Sequence, residues 1–147
     1  YPLRRQRQMC IRDSYMPEDR KLIPSMSAEE NILTPVWATN IKDWEKRLKW
    51  IYKIIPEAVE LKDRPSTSLS GGQQKLIALS RALMVGSKLL LLDEPSEGIA
   101  PALTKRIIDI LNDLKKEGVT TLIAESNAGH YEGMLDNSFV IERGQVK

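Results

Sequence analysis

Apolar residues recur at helical spacing in three stretches of the chain. Across residues 43–55 they fall at positions i, i+4, i+7 and i+11, which predicts an amphipathic helix that ends at Pro56. A second helix is predicted after Ser70, and a third from Pro101, which suits a first helical turn, to Gly118. Leu76, Leu79 and Leu83 are expected to give the second helix a buried face. The apolar stripe of the first helix consists of Trp44, Leu48, Ile51 and Ile55, and the third helix carries Leu103, Ile107, Ile110, Leu111 and Leu114.

Trp50 and Ile54 lie off the apolar stripe of the first helix. An aromatic residue outside such a stripe is either an exposed surface residue, which is common in soluble proteins, or part of a surface for a partner. The pattern by itself favours neither alternative.

Short apolar runs predict strands between the helices. Residues 88–92 and 120–124 have the length and apolar character of parallel strands that are covered on both faces. Residues 139–142 predict a third strand before a turn at Gly144, and residues 15–20 end a short strand that enters a loop. Strands that alternate with helices in this way are typical of an open α/β sheet.

Polar residues mark the boundaries of the elements in the first half of the chain. Ser27 followed by Glu30 is a capping-box pattern, which predicts a short helix over residues 28–33. Residues 34–42 are expected to form a loop, and residues 61–68 a polar linker.

Charge is distributed unevenly along the 147 residues. The net charge is +2, but residues 1–13 alone carry +3, so the remainder sums to −1. A body without excess positive charge does not favour binding to nucleic acid. The single cysteine, Cys10, has no second cysteine for a disulfide within the chain, and no apolar run is long enough to span a membrane.

Residues 1–14 show neither helical nor strand periodicity. The run PLRRQRQMCIRDS resembles translated adapter sequence at the ends of some metagenomic open reading frames, which predicts that this head is not native. The alternative is a disordered basic tail. In either case we expect the folded part to comprise residues 15–147.

Two stretches contain residues suited to phosphate chemistry, and the first is the carboxylate pair Asp93 and Glu94. Four leucines precede the pair, so both carboxylates are expected at the carboxyl end of a buried strand, where open α/β sheets bind ligands. Neighbouring side chains on a strand point in different directions. One carboxylate can therefore hold Mg²⁺ while the other orients or deprotonates a water. Taken alone, such a run is more often a strand that meets a solvated loop.

The second stretch begins at Ser70, which together with Gln73 forms a capping-box pattern. Gly71 and Gly72 follow Ser70 directly, and glycines allow backbone N–H groups to approach a phosphate closely at a helix N-terminus. An isolated Ser-Gly-Gly segment is nevertheless more often a capped helix with a flexible entry.

The two stretches together are much more specific. LSGGQQ, RALM and LLLLDEPSEGIAP occur in the order and at the spacing that resemble the C-terminal half of an ABC-type ATPase. With YMPEDR, SAEENIL and IAESN, the chain is similar more narrowly to the LivF-type subunit of branched-chain amino acid importers. The resemblance implies part of a P-loop NTPase fold. A helical subdomain with the signature motif is expected over about residues 25–83, and the Walker B strand, D-loop and switch region over residues 84–147.

The resemblance also implies roles for the stretch that begins at Ser70. Ser70, Gly71 and Gly72, with Gln73 beside them, are expected to reach the γ-phosphate of ATP that is held by a second ATPase subunit. The loop over residues 96–100 corresponds to the D-loop that couples the two sites.

The carboxylates correspond to the catalytic centre of the subunit's own nucleotide. Asp93 is expected to contact Mg²⁺ through water, and Glu94 to act as the general base. Glu18 stands at the Q-loop position, where a carboxylate can still bind Mg²⁺. Ser126 stands where the family places its switch histidine, and serine cannot supply an imidazole contact to phosphate. His130, the only histidine, is expected to be a surface residue.

One motif of the family is absent from the sequence. No G-x-x-x-x-G-K-[ST] occurs in it, so we expect a piece of a longer ATPase that binds and hydrolyses little ATP alone. The complete protein is expected to dimerise, as a homodimer or heterodimer, at the cytoplasmic face of the membrane. Membrane permease subunits would dock on the helical subdomain, with Trp37 and Trp50 as candidates, and would connect it indirectly to a periplasmic or surface binding protein.

Two alternatives remain from the sequence. A non-transport ABC ATPase of the repair or chromosome type also carries LSGG and Asp-Glu. Such proteins separate the two halves by a long coiled coil, whereas only about fifty residues without sustained heptads separate Glu18 from Ser70 here. A catalytically inert fragment is the other alternative.

Overall fold

The computed structural model describes residues 13–39, 41–86 and 88–147. The α-helices are α1 (Ala28–Thr39), α2 (Trp44–Ile54), α3 (Glu57–Leu61), α4 (Gly71–Val85) and α5 (Pro101–Lys116). The strands are β1 (Asp13–Met16), β2 (Leu89–Asp93), β3 (Thr120–Ala124), β4 (Ile141–Glu142) and β5 (Gln145–Val146).

Strand β2 lies at the centre of a three-stranded parallel sheet, between β1 and β3. Leu92 pairs with Met16 on one side and with Ile123 on the other. Because the strands are parallel, their carboxyl ends meet at one edge of the sheet. The predicted α/β class with a parallel sheet is confirmed, and Asp93 stands at that edge.

The prediction that β2 and β3 are covered on both faces is wrong. Leu90 and Leu92 are buried, whereas Leu122 on β3 is 60% exposed. Side chains alternate between the two faces of a sheet, and Leu122 pairs with Leu91 on the face opposite to Leu92. Helices α4 and α5 pack against β1 and β3, and they bury only one face.

The predicted third strand of the sheet belongs instead to a separate hairpin. Ile141 pairs with Val146 in an antiparallel ladder that joins β4 to β5. Arg143 and Gly144 have φ of 51° and 78°, the two left-handed positions of a type I′ turn. The turn at Gly144 is therefore confirmed, but the partner of β4 is the segment directly after that turn.

Helix α1 continues to Thr39, so the loop predicted over residues 34–42 is wrong for its first six positions. Pro35 lies inside the helix and has no N–H to donate to the carbonyl of Asn31. The Thr34 hydroxyl donates to that carbonyl at 2.8 Å and so replaces the missing hydrogen bond. At the start of the helix the predicted capping box is confirmed. The Ser27 N–H donates to Glu30 at 2.7 Å, and the Glu30 N–H donates to the Ser27 hydroxyl.

Ile54 is buried, contrary to its position off the apolar stripe. Helix α2 is packed against α4 on one side and against α3 and α5 on others, so more than one of its faces is covered. Pro56 ends α2 and is followed directly by α3, an element that the apolar pattern did not indicate. Within the predicted polar linker, Ser66–Ser68 form one 3₁₀ turn.

The two ends of α5 are as predicted. Pro101 occupies the first helical turn, and Gly118 has a φ of 81° just beyond the helix. The buried side chains of α5 are Thr104, Ile107, Ile110, Leu111 and Leu114.

The predicted head of residues 1–14 falls mostly outside the described residues. Asp13 and Ser14 belong to β1, so the strand begins before Tyr15. Nothing in the described ranges forms a helix that combines the length and apolar character needed to cross a bilayer.

Candidate functional site

Helix α4 begins with the Ser-Gly-Gly segment, and its N-terminus is capped as predicted. The Gln73 N–H donates to the Ser70 hydroxyl at 3.3 Å, and the Ser70 N–H donates to the Gln73 side chain at 2.9 Å. The first N–H groups of any helix lack an acceptor within the helix. The N-terminus of α4 therefore offers the backbone N–H groups of Gly71 and Gly72 to an anion.

The glycines of this segment also have a packing role. A Cβ on Gly72 would lie 1.9 Å from Cδ2 of Leu103, so α4 and α5 approach too closely there for a side chain. A Cβ on Gly71 would lie 3.3 Å from the Arg20 guanidinium, which is a tight but flexible neighbour. The packing of α4 against α5 therefore requires glycine at position 72.

Asp93 ends β2 and accepts a hydrogen bond from Tyr15 on the neighbouring strand. The Tyr15 hydroxyl lies 2.9 Å from Oδ2 of Asp93, and this bond raises the pKa of Tyr15 above its ordinary value. The negative charges of Asp19 and Glu18 raise the pKa of Tyr15 further. Glu18 is exposed in the loop that follows β1, on the same edge of the sheet as Asp93.

Glu94 is held by several contacts in an unusual backbone conformation. Its φ is 44°, a left-handed value that is uncommon for residues other than glycine. The Glu94 N–H donates to the carbonyl of Ala124 at 2.9 Å. The carboxylate accepts from the backbone N–H of Ser126 at 2.9 Å and from its hydroxyl at 3.4 Å. The structure thus brings together Glu94 and Ser126, two of the residues that the sequence singled out.

Glu125 belongs to the same cluster, although the sequence assigned it no role. The backbone N–H and the hydroxyl of Ser96 donate to its Oε1 at 2.9 and 2.6 Å, and the Tyr131 hydroxyl donates to the same atom at 3.1 Å. The only signal in the sequence was an acidic residue directly after a predicted strand. Glu125 joins the loop after β2 to the loop after β3.

The two glutamates have pKa values displaced in opposite directions. When protonated, Glu94 donates a hydrogen bond to Glu125, and this bond together with partial burial raises the pKa of Glu94. Burial acts to raise the pKa of Glu125, but the hydrogen bonds from Ser96 outweigh it, and the pKa lies below its ordinary value. Glu125 is therefore the member of the pair that stays ionised, and Glu94 is the stronger proton acceptor.

Lys75 is a second residue that the sequence did not single out. It lies on α4, is 1% exposed, and its ammonium donates a hydrogen bond to the backbone carbonyl of Glu94. The sequence signal that could have revealed it is the position of this lysine within an otherwise apolar stretch of helix. A lysine in such a stretch is rarely buried without a partner.

The remaining predicted residues lie on the surface or near it. Trp37 is 59% exposed on α1, whereas Trp50 is half-buried, and the guanidinium carbon of Arg47 lies 5.6 Å from the centre of its ring. His130 is exposed on the 3₁₀ turn Ala128–Tyr131, in agreement with its predicted surface position.

The donor set near Asp93 suits a cation that keeps most of its water. Across the described positions, no three His, Cys, Asp or Glu residues are grouped to hold a metal ion. Mg²⁺ at nucleotide sites needs only one or two protein carboxylates, because phosphate oxygens and water complete its shell. Asp93, at the carboxyl edge of the sheet, fits that requirement.

The chain is similar to known proteins in both sequence and fold. The model of the ABC transporter family matches residues 4–97. Over 131 residues, the chain is 34% identical to the high-affinity branched-chain amino acid transport ATP-binding protein BraG of Pseudomonas aeruginosa, and the match covers 89% of this chain and 56% of that protein. It is 31% identical over 128 residues to the glutamine transport ATP-binding protein GlnQ of Escherichia coli, covering 85% of this chain and 53% of that protein.

A solved structure has the same fold. The ADP conformation of an ATP-binding cassette of an ABC transporter superposes with a TM-score of 0.80 at 25% identity, over 97% of this chain and 61% of that one. BraG and GlnQ are longer than this chain, which spans little more than half the length of each. The matched residues include residues 70–73, called the signature segment below, and the Asp93–Glu94 pair. The chain belongs to the ABC transporter family of ATP-binding proteins.

Proposed function

We propose that this chain supplies the signature motif and the hydrolytic carboxylate of the ATP-binding subunit of an importer for branched-chain amino acids or related small solutes. The observation that carries the proposal is the position of Glu94. Its carboxylate lies beyond the carboxyl end of the central strand, directly after Asp93, and accepts the N–H of Ser126. The names of BraG and GlnQ support an amino acid as the transported solute.

In the proposed reaction Glu94 acts as the general base. A base is most effective when its pKa approaches the working pH, and the hydrogen bond to Glu125 displaces the pKa of Glu94 in that direction. The carboxylate would orient the attacking water and accept its proton as the water oxygen bonds to the γ-phosphorus of ATP. The bond from that phosphorus to the bridging oxygen would break in the same step, with ADP as the leaving group. Asp93 would hold Mg²⁺, with Glu18 as a further oxygen donor at the same edge; the bound ion would neutralise charge on the phosphates.

The signature segment would act on a different ATP molecule. A capped helix N-terminus with two glycines suits contact with the terminal phosphate of a nucleotide that a second subunit holds. The two pieces would therefore operate only in a dimer, each subunit completing the site of the other. Ser126, with no imidazole, would leave sensing of the γ-phosphate to weaker contacts than a histidine makes.

The helical subdomain is proposed to meet the membrane permease at the cytoplasmic face. Trp37 supports this proposal because it is a large aromatic side chain on the exposed face of α1. Trp50 contributes less accessible surface, since it packs partly against the core.

Substitution of Glu94 in the complete subunit tests the assignment of the base. Glu94→Gln keeps the size of the side chain but cannot accept a proton, so steady-state ATP hydrolysis should fall by roughly 100-fold or more. ATP-dependent dimers, measured by light scattering, should persist. Glu117→Gln is the matched control, because Glu117 is an exposed glutamate at the C-terminal end of α5, away from the carboxyl edge of the sheet. Hydrolysis by Glu94→Gln at the rate of that control would show that another group is the base.

A further inference from the structure

Lys75 is the most deeply buried charged side chain near the proposed catalytic centre. It is 1% exposed, although it lies only five positions after Ser70 at the start of α4. Burial lowers the pKa of Lys75, and the neighbouring Arg20 lowers it further, whereas Glu125, Glu97 and Glu18 act in the opposite direction. An ammonium in this position is costly to bury, and it makes a hydrogen bond that a hydrophobic residue could not make.

The acceptor of that hydrogen bond is the backbone carbonyl of Glu94. The same carbonyl also accepts from the N–H of Glu97 at 3.2 Å, which closes the turn after β2. Glu94 is thus held at three points: its N–H by Ala124, its carboxylate by Ser126 and its carbonyl by Lys75. The first two contacts come from the β3 side, whereas Lys75 comes from α4, the helix that follows the signature segment and is called the signature helix below.

The backbone of Glu94 needs such support. A φ of 44° costs free energy for a residue with a Cβ, and such conformations persist where surrounding contacts hold them. If the turn relaxed toward an ordinary conformation, the carboxylate would move away from the N–H of Ser126. Lys75 is placed to prevent that movement, because it holds the peptide group on the C-terminal side of the strained residue.

We propose that Lys75 is a positioning residue that fixes the orientation of the Glu94 carboxylate. This role rests on the proposed function, in which Glu94 is the general base. It also gives the signature helix a direct connection to the base of the same subunit. A change in the position of α4, where the partner's nucleotide is expected to bind, is transmitted to Glu94 through one side chain.

The substitution Lys75→Met tests the proposal. Methionine has a similar length, packs well in an apolar site and cannot donate to the carbonyl. In the 147-residue chain, the Lys75→Met variant should remain folded, with a melting temperature no lower than that of the parent chain. The amide proton resonance of Ser126 should shift toward the position of an amide without a hydrogen bond. In the complete subunit kcat should fall roughly tenfold to 100-fold, with KM for ATP changed by less than about twofold.

Lys105→Met is the matched control, because Lys105 is an exposed lysine on α5 and should change none of these quantities. A folded Lys75→Met chain with an unchanged Ser126 resonance would overturn the proposal. Loss of the fold would also overturn it, because Lys75 would then stabilise the helix rather than orient Glu94. The resonance reports the position of Glu94 whether or not Glu94 is the base, so failure of this proposal can be told apart from failure of the proposed function.

Discussion

Oε1 of Glu94 lies 2.9 Å from the backbone nitrogen of Ser126, although 32 positions separate the two residues in the chain. The contact exists because β2 and β3 are adjacent and parallel, so that their carboxyl ends meet. A second contact crosses the same gap in the other direction, from Ser96 to Glu125. The loops after the two strands are therefore joined by a pair of reciprocal carboxylate contacts, and a movement of one loop displaces the side chains of the other.

The close approach of α4 and α5 predicts that Gly72→Ala destabilises the chain. The added Cβ would meet Leu103 at 1.9 Å, and overpacking of this kind costs about 1–3 kcal/mol. Because alanine is favoured over glycine in a helix by about 1 kcal/mol, the net loss should be up to about 2 kcal/mol. Unfolding of the chain in urea measures this loss.

Two further variants separate crowding from other effects. Gly71→Ala should be neutral or stabilising, because the nearest atom, at 3.3 Å, belongs to the far end of the long Arg20 side chain, which can shift at little cost. In a Leu103→Ala background, Gly72→Ala should cost nothing more, since the clashing side chain has been shortened. Equal losses for Gly71→Ala and Gly72→Ala would refute the packing explanation.

The ion pair between Arg106 and Glu57 predicts a pH dependence of stability. Arg106 donates from Nε to one carboxylate oxygen and from Nη2 to the other at 3.0 Å, and these bonds lower the pKa of Glu57 below its ordinary 4.5. Between the pKa of Glu57 in the folded state and its ordinary value, the folded state binds fewer protons than the unfolded state. The contribution of the Arg106–Glu57 ion pair to the free energy of unfolding is therefore complete above the ordinary pKa of Glu57. It is lost as the pH falls through the pKa of Glu57 in the folded state.

The substitution Glu57→Gln should remove that part of the pH dependence. The free energy of unfolding should fall by about 1 kcal/mol or less near neutral pH, and the difference from the parent chain should shrink between about pH 5 and about pH 3. Asp113→Asn is the control, because its partner Lys116 is exposed and the pair is screened by solvent. A difference that grows as the pH falls would contradict the sign of the effect.

We expect the 147-residue chain to bind ATP weakly or not at all. The sequence holds no G-x-x-x-x-G-K-[ST], the motif whose backbone and lysine cradle the phosphates in this class of proteins. Titration calorimetry with ATP and Mg²⁺ should therefore give no saturable heat at micromolar concentrations. Tight, Mg²⁺-dependent binding would show that the residues of this chain form a phosphate site in another way.

Local signals in the sequence were sufficient for most helix boundaries. The capping pairs Ser27–Glu30 and Ser70–Gln73 lie where predicted, because each is formed within one turn of backbone. Pro101 and Gly118 act through their own backbone conformations, which neighbours further along the chain do not change. The end of α1 was predicted too early, because the hydroxyl of Thr34 replaces the hydrogen bond that Pro35 cannot make and the helix continues to Thr39.

Burial could not be predicted in the same way, because it depends on which elements cover a face. Ile54 is buried by helices packed on more than one side of α2, and Leu122 is exposed because the sheet has helices over one face. Periodicity gives the direction in which a side chain points but does not specify what lies there.

The sequence by itself determined the family, the position of the two phosphate-related stretches and the pair Asp93 and Glu94, because these depend on residue type and spacing. Only the tertiary structure decided what surrounds Glu94. Lys75, Ser126 and Ala124 reach it from another helix and another strand, and such contacts depend on strand order and helix placement. Spacing along the chain carries no record of those distances, so the residues that hold the carboxylate became visible only in the folded protein.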